Sequence, residues 1–149
     1  HPRHPAGVRL HPEKTHLIIN QLDPEHHPRH QKTQNAVQRF LKQTASHYFH
    51  TRVPQFAKQM EVTYKRLQFR EQKTRWGSCS SSGTLSLNWR LVHAPTKVID
   101  YLIVHELAHV KHPNHSKHFW NFVREHNPTY REHRSWLKKR RLRRLSVES

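Results

Sequence analysis

The sequence predicts an α+β fold, with several helices around a few short strands. Apolar residues recur at spacings of three and four from Gln31 to Met60 and again through the last third of the chain, the period of amphipathic helices. Between these regions Leu85, Leu87 and Trp89 alternate with Ser86 and Asn88, the period of a half-buried strand. There is no internal repeat.

Taken in order, residues 1–30 hold seven His and five Pro and read as an extended arm or a truncated segment, because Pro removes a donor and blocks helix. Leu17–Ile19 is a short strand candidate there. His26, His27 and His30 form a weak metal-binding candidate against the better reading of a solvated arm. The chain begins with His1, and missing N-terminal sequence is expected. Residues 31–149 read as one domain. Ala36, Val37, Phe40, Leu41, Ala45, Tyr48 and Phe49 carry its first helical stripe. Pro54 is expected to interrupt that stripe, with a second short helical piece to Met60. Val62–Tyr64 and Leu67–Phe69 are short strand candidates. Trp76 and Cys79 are expected to pack inside, with Gly77 permitting a tight turn, and residues 80–83 form a Ser/Gly turn before the alternating strand. Pro95 suits the first turn of a helix. Lys97–Lys111 is apolar on nearly every side, which marks a core helix, and Pro113 stops it. Ser116 is placed to cap the next helix, which carries Phe119, Trp120, Phe122 and Val123 and ends near Asn127–Pro128. A last helix runs from about Thr129 to Leu145, anchored by Tyr130, Trp136 and Leu137.

Composition bounds what such a domain can be. The 149 residues carry 27 Lys+Arg against 10 Asp+Glu, a formal charge of +17, and 17 His. Only 33% are hydrophobic, below the roughly 45–50% usual in globular domains, so a large core is excluded and a bound metal would add useful stability. No apolar run approaches the ~18 residues of a membrane span. The single Cys79 excludes an internal disulfide framework and fits a reducing compartment. His1–Leu10 lacks the apolar segment of a secretory signal, and a cytoplasmic location is expected.

The core helix contains His105-Glu106-Leu107-Ala108-His109. Histidines at i and i+4 share a helix face and stand close enough to share a zinc ion, with the glutamate beside the water such an ion activates. With histidine this abundant, the bare pattern has about a one in ten chance of arising somewhere in the chain. Its position in the most apolar helix restores the signal, since two buried histidines on one face need partners and a metal satisfies both. Three protein ligands plus water make a catalytic zinc site. His112, His115 and His118 are candidates for the third. On an unbroken helix His115 would stand ~9 Å above His109 and far around the axis. Pro113–Asn114 breaks the helix there, which favours His115, with His118 next. Glu106 would act as general base on the metal-activated water and then as proton donor to the leaving group. Tyr130, His118, His112 or an arginine could supply a further oxyanion donor.

Lys73-Thr-Arg-Trp-Gly-Ser-Cys79, Leu85-Ser-Leu-Asn-Trp89, Val104-His-Glu-Leu-Ala-His109 and Asn114-His-Ser-Lys-His-Phe-Trp120, in this order, resemble the YgjP-like zinc metallopeptidase domain. That group is similar to the SprT/Spartan-type zinc proteases, which attack proteins crosslinked to DNA. The resemblance is dense from Lys73 to Trp136 and thinner from Gln31 to Gln72. It implies a zincin-like fold, with a small antiparallel or mixed sheet packed on a central metal-binding helix. It further implies one Zn2+ held at His105, His109 and His115, with Glu106 as the catalytic acid. It also suggests that Gly83–Trp89 is an edge strand near the metal that pairs with an extended substrate. Leu85, Leu87 and Trp89 would then face the core, with Ser86 and Asn88 on the other side; an ordinary internal strand is the equal alternative. Some members of the group are thought to hydrolyse nucleoside triphosphates.

A second signal is the cationic run of Lys138, Lys139, Arg140, Arg141, Arg143 and Arg144, extended upstream by Arg131 and Arg134. Such a stripe attracts phosphate, and non-specific nucleic acid is its expected partner. No base-reading motif is present. The leading function is thus a zinc-dependent metallohydrolase, foremost a peptidase acting on polypeptide, with action near nucleic acid expected. The alternatives are a UTP-type pyrophosphatase, and a non-enzymatic basic nucleic-acid-binding module with structural zinc. No membrane partner is expected.

Overall fold

The computed structural model describes residues 31–71 and 75–140. Among them the order is α1 (Gln31–Met60), β1 (Arg66–Arg70), β2 (Gly77–Cys79), β3 (Thr84–Asn88), a 3-10 turn (Trp89–His93), α2 (Thr96–Lys111), α3 (Lys117–His126) and α4 (Tyr130–Lys139). The α+β expectation holds. The arm at residues 1–30 lies outside the described residues, as do the end of the last expected helix and Arg141, Arg143 and Arg144.

α1 runs unbroken through Pro54, contrary to the expected interruption. An interior proline costs one backbone hydrogen bond and roughly 3 kcal/mol. Here Leu41, Ala45, Phe49 and Val53 on one side of it, and Phe56, Ala57 and Met60 on the other, are all buried in one stripe. Burial of even two of those side chains, at roughly 1.5–3 kcal/mol each, offsets that cost. The helix then ends in a Schellman arrangement. The Val62 N–H donates to the Ala57 carbonyl at 3.0 Å and the Glu61 N–H to the Lys58 carbonyl at 3.2 Å, with Glu61 at φ 57°. Val62 is buried as the apolar plug of that cap, so Val62–Tyr64 is not the strand its composition suggests.

The sheet has the order β1-β3-β2 and is mixed. β1 runs parallel to β3 with Leu67 beside Leu85 and Phe69 beside Leu87. β2 runs antiparallel with Gly77 beside Leu87 and Cys79 beside Leu85. β3 is therefore the central strand, which corrects the edge-strand expectation for Gly83–Trp89. The main chain of Leu85, Ser86 and Leu87 is flanked by strands on both sides and has no edge to offer a substrate. Nor is β3 half-buried, since Ser86 and Asn88 are buried along with Leu85 and Leu87. Asn88 has a structural task. Its side-chain amide donates to the Arg75 carbonyl at 2.9 Å, and its side-chain oxygen accepts from the Arg90 N–H at 3.0 Å, capping the 3-10 turn that takes over at Trp89.

α2 is the core, with every residue from Tyr101 to His109 buried. It packs against β2, α1, α3 and α4. Asp100 near its start ties it to α1, accepting from the Tyr48 hydroxyl at 2.9 Å and from Arg52 at 3.1 Å. No described helix is long and apolar enough to cross a membrane.

Candidate metal centre

Residues at i and i+4 on α2 project from one face, so His105 and His109 stand side by side with ring centroids 5.1 Å apart. The third histidine arrives because the helix stops. His112 leaves helical geometry at φ −129°, ψ 91°. Ser116 then starts α3 by accepting the Phe119 N–H on its side chain. The loop between the two caps turns His115 back over α2, with its ring 4.6 Å from His109 and 5.3 Å from His105. The donor nitrogens of His105, His109 and His115 all lie within 4.8 Å of one another. His112 and His118 stay out of this group. Their rings lie near-parallel to each other at 6.4 Å, and His112 packs on Phe122.

The hydrogen bonds around the cluster fit a cation. The Nδ1 of His109 lies 3.2 Å from the His112 carbonyl; donating there leaves its Nε2 as a lone pair, and that atom faces the Nε2 of His115 at 3.0 Å. The Nδ1 of His105 bonds the Tyr101 hydroxyl at 3.2 Å, and its Nε2 is buried without a hydrogen-bond partner. A buried, unsatisfied imidazole nitrogen beside two others costs free energy that a bound metal ion removes. Burial first, then His109, His115 and Arg134, push His105 well below the usual imidazole range. It is thus held in the neutral form that ligates metal. Phe119 and Trp120 wall the cluster, 5.0 and 5.7 Å from the His105 ring. The donor set is all imidazole, which suits zinc among the common divalent ions.

Glu106 follows His105 on α2 and is fully buried. It lies toward β2, where a Cβ built on Gly77 would come within 3.3 Å of its Oε2. Gly77 thus sits in a strand and gives close approach, rather than making the expected tight turn. Cys79, on the same face of β2, has its thiol pushed up to about 11 by burial and by Glu106, so it stays a neutral thiol at ordinary pH. Trp76 is buried, as expected. Of the residues expected to bind substrate, Leu85, Ser86, Leu87 and Asn88 all lie in the central strand. The strand that Glu106 approaches is instead β2, through Gly77. Of the expected polyanion residues, Lys138, Lys139 and Arg140 are exposed at the end of α4.

Two supporting groups escaped the sequence reading. Tyr101 stands four residues before His105 on the same face, a spacing legible in principle. The His112 carbonyl left no trace, because a backbone acceptor is recruited by loop geometry rather than by residue type.

The fold resembles the crystal structure of the metallopeptidase zymogen of Pyrococcus abyssi abylysin, with a TM-score of 0.57 and 23% identity over 66% of this chain and 98% of that one. No curated protein matches the chain. Residues 6–140 match the YgjP-like metallopeptidase domain. That span contains the whole histidine cluster and every described element from α1 through α4, so the chain belongs to the YgjP-like metallopeptidase family, with a zincin-like α+β fold.

Proposed function

We propose that the chain is a zinc-dependent peptidase. The observation that carries this reading is the convergence of three imidazole nitrogens within 4.8 Å, next in sequence to a buried glutamate that faces β2. Three protein ligands are the donor set of a catalytic zinc, whereas structural sites are closed by four. His105, His109 and His115 would hold the ion, which when bound polarises a carbonyl and makes water more acidic. Glu106 takes a proton from the attacking water at its carboxylate as the water oxygen adds to the peptide carbonyl carbon. It returns that proton to the amide nitrogen as the C–N bond breaks. A peptide bond held at the ion would lie beside Glu106, which follows His105 on α2 and faces β2.

The test is zinc-loaded protein against unfolded protein, DNA-bound protein and UTP, each compared with Glu106→Gln. Proteolysis that disappears in the variant while zinc remains bound supports the reading. Hydrolysis of UTP alone, or no activity at full zinc occupancy, overturns it.

A further inference from the structure

A cavity of about 520 Å³ opens beside the metal centre, lined by Trp120 of α3 and by Tyr130, Arg131, Arg134, Ser135 and Lys138 of α4. The last four recur at i, i+3, i+4 and i+7, one face of a helix. Among the described residues that line the cavity, three are cations and none is an acid. Trp120 joins the cavity to the histidine cluster, since its ring lies 5.9 Å from that of His115 and 5.7 Å from that of His105. A group seated in the cavity is thus about one side chain away from a bond held at the metal.

We propose that this cavity is a carboxylate-binding subsite that takes an acidic side chain or the chain terminus of a peptide, adjoining the bond to be cleaved. Like charges on one wall repel one another and are stabilised by an anion between them. The bond of Arg131 to the Tyr130 hydroxyl, at 3.2 Å, uses Nε; a guanidinium has two further nitrogens suited to a carboxylate. The aromatic faces favour a carboxylate over a nucleobase. Trp120 already lies near-parallel to Tyr130 at 5.3 Å and to His115, and Arg134 sits over its ring at 4.9 Å. Tyr130 carries Arg131 at 5.7 Å. These rings are committed to partners within the protein, so stacking on a base would have to displace them.

The identity of the anion rests on the peptidase reading, but binding requires no turnover, so the two are tested apart. The zinc-loaded Glu106→Gln protein is titrated with fluorescein-labelled hexapeptides by anisotropy. One pair differs only in a free or amidated C-terminus; another differs only in Glu or Gln at the central positions. The carboxylate-bearing member of one pair binds about five- to tenfold tighter, and the preference shrinks as salt is raised. The free-terminus pair tells a chain end from a side chain. Arg131 and Lys138 are exposed, so Arg131→Gln/Lys138→Gln folds normally and abolishes the preference, whereas Arg131→Lys/Lys138→Arg retains most of it. Equal affinities within both pairs, or a preference that survives in the Gln variant, overturn the proposal. So does displacement of the acidic peptide by UTP with hydrolysis of UTP by the wild-type chain, which would make the cavity a phosphate site. An intact preference without peptide cleavage by the wild-type chain supports the subsite and strikes the peptidase reading alone.

Discussion

Gly77→Ala isolates the contact between β2 and the glutamate. A Cβ at this position meets Leu102 Cδ2 at 3.2 Å, the Ser86 carbonyl oxygen at 3.2 Å and Glu106 Oε2 at 3.3 Å. The Ser86 oxygen belongs to the central strand and cannot yield, so Leu102 and Glu106 must move by a few tenths of an ångström. Overpacking of this kind costs about 1–3 kcal/mol. Alanine recovers about 0.4–1 kcal/mol by restricting the unfolded chain, because Gly77 is not held at positive φ. At mid-range overpacking wins by about 1.3 kcal/mol, which lowers Tm by about 3–5 °C in a domain of this size. Displacement of the Glu106 carboxylate should lower kcat/KM about tenfold, since catalysis is sensitive to sub-ångström placement of the base. Zinc stoichiometry should not change. The measurements are calorimetry, metal analysis and peptide cleavage on the same preparation. Gly83→Ala is the control. Gly83 lies at φ 93°, so alanine there is strained by about 1 kcal/mol or more but has no path to Glu106. An unaltered Tm and kcat/KM in Gly77→Ala, or equal losses of activity in both variants, would refute the reasoning.

Three other outcomes follow from the geometry. His115→Ala should lose zinc on dialysis while His112→Ala keeps it, because the carbonyl of residue 112 holds His109 and the His112 ring lies elsewhere; the reverse pattern would overturn the ligand set. Tyr101→Phe removes the partner of His105 Nδ1 and should weaken zinc affinity about 10- to 100-fold in a competition assay with a chromophoric chelator, and an unchanged affinity would show that the hydroxyl does not orient the ring. In the metal-free chain, burial lowers His105, and also His133, below the ordinary imidazole value. The unfolded chain then binds these protons more readily, so their contribution is fully present above about pH 6.5 and is lost as pH falls through the folded values. Thermal melts from pH 7.5 to 5.5 should therefore show a falling Tm, and a flat or rising profile would contradict it.

The parts of the site that were legible in the sequence share one property, which is that they are set by chain-local geometry. Spacing of i and i+4 puts His105 and His109 on one face wherever the helix goes. Pro113 marks where that helix must stop, and Ser116 where the next begins. The same reasoning failed at Pro54 and at Val62–Tyr64. There the local preference for a break, and then for a strand, was overridden by burial of Phe49, Val53, Phe56, Met60 and Val62 in a core those residues share with distant segments.

The sequence by itself determined the helices, the paired histidines and the chain break that frees His115, because these depend on residues within a few positions of one another. Only the tertiary structure decided which strand is central. The alternation of Leu85 and Leu87 tells which way side chains point but not what lies beside the backbone, and pairing with both Arg66–Arg70 and Gly77–Cys79 placed β3 in the middle of the sheet. It likewise decided that Arg131, Arg134 and Lys138, which read in sequence as part of a phosphate-attracting cationic stripe, line a cavity against Trp120. Charge is a property of the residue; the surface that charge faces is set by the packing of α4 on α2, which no local pattern encodes.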